Sequence, residues 1–145
     1  MASRFGLLLA FLLLLALPGA ARAEDPGASS PDADAIRAVI SHQLAAFLHD
    51  DQAAAFADAS PAIQSIFHDP DTFMSMVRTG YQPVYRASGV EFRDLGMVEG
   101  RLVQRVYMVG PDGVAVIADY EMQRQPDGSW RINGCSIERA PDQGV

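Results

Sequence analysis

The chain has no lysine, and a single cysteine and a single tryptophan in 145 residues. Each shortage excludes something. A lone thiol, Cys135, cannot close an internal disulfide, so the fold has to be held by its hydrophobic core. All 11 basic residues are arginine and face 18 acidic ones, for a net charge of −7. That negative excess repels phosphate backbones and anionic lipid headgroups, which sets nucleic acid and membrane surfaces aside as partners. No motif with diagnostic catalytic spacing occurs. Histidine is also scarce, with three in all. On a helix, His42 and His49 would stand about 10.5 Å apart, too far to share one ion at bonds of about 2.1 Å. No metal site and no cofactor are expected.

Long apolar runs are limited to one, residues 7–17. With Arg4 before it and Ala21-Arg22-Ala23 after it, this run reads as an export signal over residues 1–23, cut between Ala23 and Glu24. It is shorter than the roughly 20 apolar residues a spanning helix needs, so no membrane association is expected after cleavage. The cleavage point lacks the Cys that a lipid anchor requires. Removing residues 1–23 takes away Arg4 and Arg22 but no acidic residue, which moves the net charge from −7 to −9. The expected location is the periplasm. Residues 24–30, rich in Pro, Gly and Ser, read as a flexible linker, residues 31–140 as a single domain, and residues 141–145 as a frayed tail.

Ser30-Pro31, Ser60-Pro61 and Asp69-Pro70 each place a capping side chain before a proline suited to the first helical position. Helices are therefore expected over residues 31–49, 52–59, 60–67 and 70–79. In the first, Ile36, Val39, Ile40, Leu44 and Phe47 form one apolar stripe, with Gln43 in its middle. A buried amide must find partners, so Gln43 either ties the helix to a strand or lines a cavity. Residues 81–86, containing Pro83, read as an extended crossing.

Strands are expected over residues 90–98 and then in three segments joined by two copies of one turn, Pro111-Asp112-Gly113 and Pro126-Asp127-Gly128. Pairing Gly110 with Val114 and Gln125 with Ser129 fixes which side chains share a face. One face collects Leu102, Val106, Met108, Val116, Ala118, Tyr120, Met122, Trp130 and Ile132, with Gln104, Gly134 and Ser136 as its small or polar members. The other carries Arg105, Tyr107, Ile117, Asp119, Cys135 and Ile137, a mixture suited to a half-wet surface or a subunit contact. In this register Arg105 faces Asp119, and Asp119 faces Cys135. The fold class is α+β, with N-terminal helices packed on a curved four-stranded antiparallel sheet.

The residues Gln43-Leu44, Ala46-Phe47, Ala55-Phe56, Ser60-Pro61, Gly80-Tyr81-Gln82-Pro83-Val84-Tyr85-Arg86, Gln104 with Val106, Tyr120, and Trp130-Arg131-Ile132-Asn133-Gly134-Cys135 resemble the nuclear transport factor 2-like (cystatin-like, SnoaL-like) superfamily. Within it, the chain resembles more closely a bacterial family of exported proteins of unknown function. The resemblance implies a cone with a cavity between helices and sheet, and dimerisation through the sheet. It implies no activity. A ketosteroid isomerase in that superfamily needs an Asp base, with a Tyr and a protonated Asp as donors. The inner face here offers no carboxylate or imidazole, and Asp58 or Asp69 would supply one only if the fold turned it inward.

Three readings follow. The first is a non-enzymatic domain binding a small apolar ligand or a protein partner, with Gln43, Gln104, Tyr120 and Ser136 as cavity candidates. The second is an enzyme acting on a small hydrophobic molecule with Tyr120 as donor. The third is a scaffold that forms a homodimer through Tyr107, Ile117 and Ile137. Cys135 is a buried thiol, a dimer cross-link or a redox site.

Overall fold

The computed structural model describes residues 30–141. The segments expected as export signal (1–23), linker (24–30) and frayed tail (141–145) lie, apart from Ser30 and Pro141, outside the described residues. Five helices come first: α1 (Pro31–Leu48), α2 (Gln52–Ala57), α3 (Pro61–Phe67), α4 (Pro70–Gly80) and α5 (Gln82–Tyr85). Four strands follow: β1 (Gly89–Val98), β2 (Arg101–Val109), β3 (Ala115–Arg124) and β4 (Trp130–Arg139). The molecule is thus α+β, with helices followed by an open antiparallel sheet of order β1-β2-β3-β4. No helix among the described residues is long and apolar enough to cross a membrane.

The helix starts are set by local chemistry. Ser30 Oγ accepts from the Ala33 N–H at 3.1 Å, Ser60 Oγ from Ile63 at 3.3 Å and Asp69 Oδ1 from Thr72 at 2.8 Å. Each bond satisfies one of the amides that a helix N-terminus leaves open. Asp51 adds a fourth cap, accepting from Ala54 at 3.0 Å.

Residues 82–85 depart from the extended crossing expected of them and form α5. Pro83 sits in the first turn of that helix, where its missing N–H has no helical acceptor to lose. The segment is pinned by Arg86, whose guanidinium lies 3.8 Å from the centre of the Tyr85 ring. The same group donates to Asp50 Oδ2 at 2.9 Å. Asp50, at φ +53°, turns the chain after α1.

Both Pro-Asp-Gly turns close as three-residue loops. Gly110 N–H bonds Val114 O at 3.0 Å and Gln125 N–H bonds Ser129 O at 2.8 Å. Gly113 and Gly128 take φ of +78° and +85°, the left-handed position that the turn requires. Arg105 accordingly pairs with Asp119, and Gln104 with Tyr120.

The β3–β4 register departs from uniform alternation. Met122 pairs with Ile132 but Glu121 with Gly134, which leaves Asn133 as an extra residue in a β-bulge. From there on every β4 side chain changes face relative to the expectation. Tyr120 pairs with Cys135, Asp119 with Ser136, and Ala118 with Ile137. Cys135 and Ile137 therefore turn toward the helices, and Ser136 turns away and is exposed.

Partners distant in sequence hold the bulge in place. Ser60 Oγ donates to Asn133 Oδ1 at 2.7 Å, and Asn133 Nδ2 donates to Glu121 Oε1 at 2.9 Å. The segment between α2 and α3 straps the free edge of β4, with Ile132 N–H bonding Asp58 O at 2.9 Å and Ser60 N–H bonding Ile132 O at 2.8 Å. The core lies between the helices and the inner sheet face, where Val106, Met108, Ala118 and Tyr120 are at most 1% exposed.

Candidate functional site

The inner face of β3 and β4 does not meet the helices everywhere. A cavity of about 450 Å³ remains between them, within the size range of small-molecule sites. Gln43 and Phe47 of α1 form its roof, Ile63, Ile66 and Phe67 of α3 one side, and Phe73, Met76 and Val77 of α4 the other. Tyr81 and Val84 close one end, and Tyr120, Ile132, Gly134 and Cys135 make the floor. Ile66 is 64% exposed and marks the rim.

An aromatic cluster joins the helices above the floor. Phe73 stands at its centre, with ring centroids 5.5 Å from Phe56, 5.7 Å from Phe67 and 6.4 Å from Phe47. Rings at these separations attract one another beyond simple area burial, which ties α1, α2, α3 and α4 together.

Few polar groups reach the space. Gln43 is buried, and its Nε2 donates to the Ala55 carbonyl at 3.1 Å, a tie from α1 to α2. The same residue also lines the cavity. Tyr81 donates its hydroxyl proton to the Cys135 carbonyl at 3.0 Å, fastening the α4–α5 corner to the floor. Tyr120 differs from both. Its hydroxyl is fully buried and makes no hydrogen bond of ordinary geometry among the described residues. A buried donor left unsatisfied costs about 1–3 kcal/mol.

Burial pushes the Tyr120 phenol well above its ordinary range, and the neighbouring Cys135 thiol adds to the shift. Burial, followed by the Asp119 carboxylate acting from the opposite face, pushes the Cys135 thiol up to about 12. Such a thiol stays protonated at neutral pH and is a poor nucleophile.

The four cavity candidates separate in space. Gln43 and Tyr120 line the cavity. Gln104, although completely buried, is not among the lining residues; its Nε2 donates to the carbonyls of Arg93 at 2.9 Å and Arg105 at 2.9 Å and so braces the bulge in β1. Ser136 is exposed opposite Asp119. Tyr81 and Cys135 take their places in the wall. The signal for Cys135 was in the sequence, since a glycine within a strand pattern, here Gly134, commonly marks a bulge. Tyr81 carried no such signal, because its position depends on the short helix that follows.

The three interface candidates also divide. Tyr107 and Ile117 pair on the outer face, whereas Ile137 packs into the core beside Ala118. On that outer face Arg105 Nε donates to Asp119 at 3.0 Å, Arg101 to Glu121 at 3.2 Å, and the Arg93 guanidinium lies 4.7 Å from the Tyr107 ring centre.

Acidic groups lie elsewhere. Asp58 pairs with His42 Nδ1 at 2.6 Å and Asp69 caps α4, and neither lines the cavity. Burial pushes the Asp58 carboxyl up, and the hydrogen bond that this carboxylate accepts from the His42 ring raises His42. Among the described residues no three His, Cys, Asp or Glu side chains are placed to hold a metal ion.

Fold and cavity together define an α+β protein with a helix-roofed apolar cavity above one face of an open sheet. Residues 29–145 match the model of the family described as Domain of unknown function (DUF4864), and the chain belongs to that family. No curated protein and no solved structure matches it.

Proposed function

We propose that this chain is an exported, periplasmic binding domain of the nuclear transport factor 2-like superfamily, and that its cavity holds a small apolar ligand. One observation carries the reading: an apolar space of about 450 Å³ into which the chain turns Gln43 and Tyr120. Apolar walls supply the driving force, and a few fixed polar groups orient the guest. No carboxylate, imidazole or cation is among the lining residues. Proton-transfer catalysis needs a base within hydrogen-bond reach of the reacting group, and the cavity wall supplies none. Binding without chemistry is the simpler use of such a site. A scaffold reading is weakened by the turn of Ile137 into the core, which leaves Tyr107 and Ile117 as the outer-face candidates.

Native mass spectrometry of the full chain, recovered from the periplasm of an expression host, tests this directly. The expected result is a processed chain carrying a constant small-molecule increment that is lost on denaturation. Unprocessed chain in the cytoplasm would overturn the export part. Bare chain that takes up no apolar probe would overturn the binding part.

A further inference from the structure

We infer that the molecule this cavity accepts is uncharged and carries a hydrogen-bond acceptor, a ketone or similar carbonyl oxygen, that takes the proton of the Tyr120 hydroxyl. This rests on the binding reading above and adds the chemical class of the ligand.

The argument starts from the hydroxyl. Tyr120 is 1% exposed, lines the cavity, and has a buried OH with no hydrogen bond of ordinary geometry among the described residues, the Cys135 thiol beside it being its one weak neighbour. A phenylalanine would fill the same place without leaving a donor open, so the hydroxyl is the one group in the floor that packing does not explain. The neighbouring thiol of Cys135 is a weak acceptor. Gln43 spends one of its two Nε2 protons on Ala55, and the Tyr81 hydroxyl is committed to the Cys135 carbonyl. Tyr120 carries the fully buried hydroxyl of the wall that has no partner of ordinary geometry, and its complement is an acceptor on the ligand.

Charge on the ligand is disfavoured in both signs. A carboxylate or phosphate would enter a space whose lining holds no Arg, Lys or His, with the Asp119 carboxylate on the other face of the same strand. An ammonium would find no lining carboxylate. Burying an ion without a counter-charge is costly enough that it stays in water. A neutral apolar body with one carbonyl meets every condition.

Three fluorescent probes of matched shape test the class: a naphthyl ketone (6-propionyl-2-dimethylaminonaphthalene), the parent 2-dimethylaminonaphthalene without the acyl group, and the 6-carboxylate of that parent. The wild-type chain should bind the ketone about tenfold more tightly than the parent, the effect of one net hydrogen bond. The carboxylate should bind weakest. Tyr120→Phe should erase the preference for the ketone without lowering the thermal midpoint, because the variant removes a buried donor that has no partner of ordinary geometry inside the protein. The infrared carbonyl stretch of the ketone bound to wild type gives a second readout that needs no variant. It should lie below its value in hydrocarbon solvent.

Equal affinities for ketone and parent, or an unshifted carbonyl stretch, would overturn the class while leaving the binding reading standing. Tightest binding of the carboxylate would overturn the class as well. Failure of all three probes to bind would overturn the binding reading itself.

Discussion

The two faces of the sheet are built on opposite principles. On the cavity side Val106, Met108, Ala118 and Tyr120 are almost completely buried, yet a space and an unpaired hydroxyl remain beneath the helices. On the solvent side Arg105, Asp119, Arg101 and Glu121 are joined by ion pairs across the strands. Packing carries the stability of the first face. Exposed charge pairs contribute roughly 0.2–1 kcal/mol each on the second. The unspent capacity for binding lies where the structure is otherwise tightest.

The difference can be broken most sharply at Cys135, which uniform alternation would place outside and the bulge places inside. With its thiol pushed up to about 12, against about 8.5 for a free cysteine, the thiolate fraction at neutral pH falls roughly a thousandfold. Reaction with an aromatic disulfide reagent should be roughly a hundredfold slower in the folded protein than in the denatured chain, since the greater nucleophilicity of a high-pKa thiolate offsets part of that loss. Rapid labelling of the native protein would put Cys135 on the solvent side and undo the register described here.

Stability offers the next test. Phe73→Ala removes the ring on which Phe47, Phe56 and Phe67 converge, and should cost about 3–5 kcal/mol in denaturant unfolding. Asp119→Ala, which breaks the Arg105 pair on the other face, should cost about 0.5 kcal/mol in the same experiment. Comparable losses from the two would mean that the solvent face carries the fold as much as the core does.

The smallest effect concerns the pair of an exposed His42 with a half-buried Asp58. The Asp58 hydrogen bond raises His42 above its ordinary 6.5. A raised histidine contributes its stability fully below 6.5, and the contribution disappears as pH rises through the folded value. The gap in unfolding midpoint between wild type and His42→Gln should therefore be larger at pH 6 than at pH 8. The same gap at both would remove the pair from the account.

Much of the scaffold was legible because its determinants are local. Ser30, Ser60 and Asp69 cap helices through amides three residues ahead, and the two Pro-Asp-Gly loops need φ above zero only at Gly113 and Gly128. Those contacts fix the helix starts, the β2–β3 register and with it the Arg105–Asp119 pair. Even Pro83 misled only about α5, where the same ring chemistry that breaks a helix interior is tolerated in a first turn.

The cavity itself was decided by contacts that no short window contains. Asn133 bulges because Ser60, 73 residues away, and Glu121 on the next strand satisfy its amide, and that one extra residue turns Cys135 and Ile137 inward and Ser136 outward. Gln43 and Gln104 are both buried amides in apolar stripes, and periodicity treats them alike. One faces the cavity because α1 crosses above it, and the other braces a bulge because β1 bends around it. The sequence determined where the capped helices start and how β2 and β3 register, through bonds between residues close along the chain. Only the tertiary structure decided which side chains enclose empty space, because that depends on how elements far apart in sequence fail to fill the volume between them.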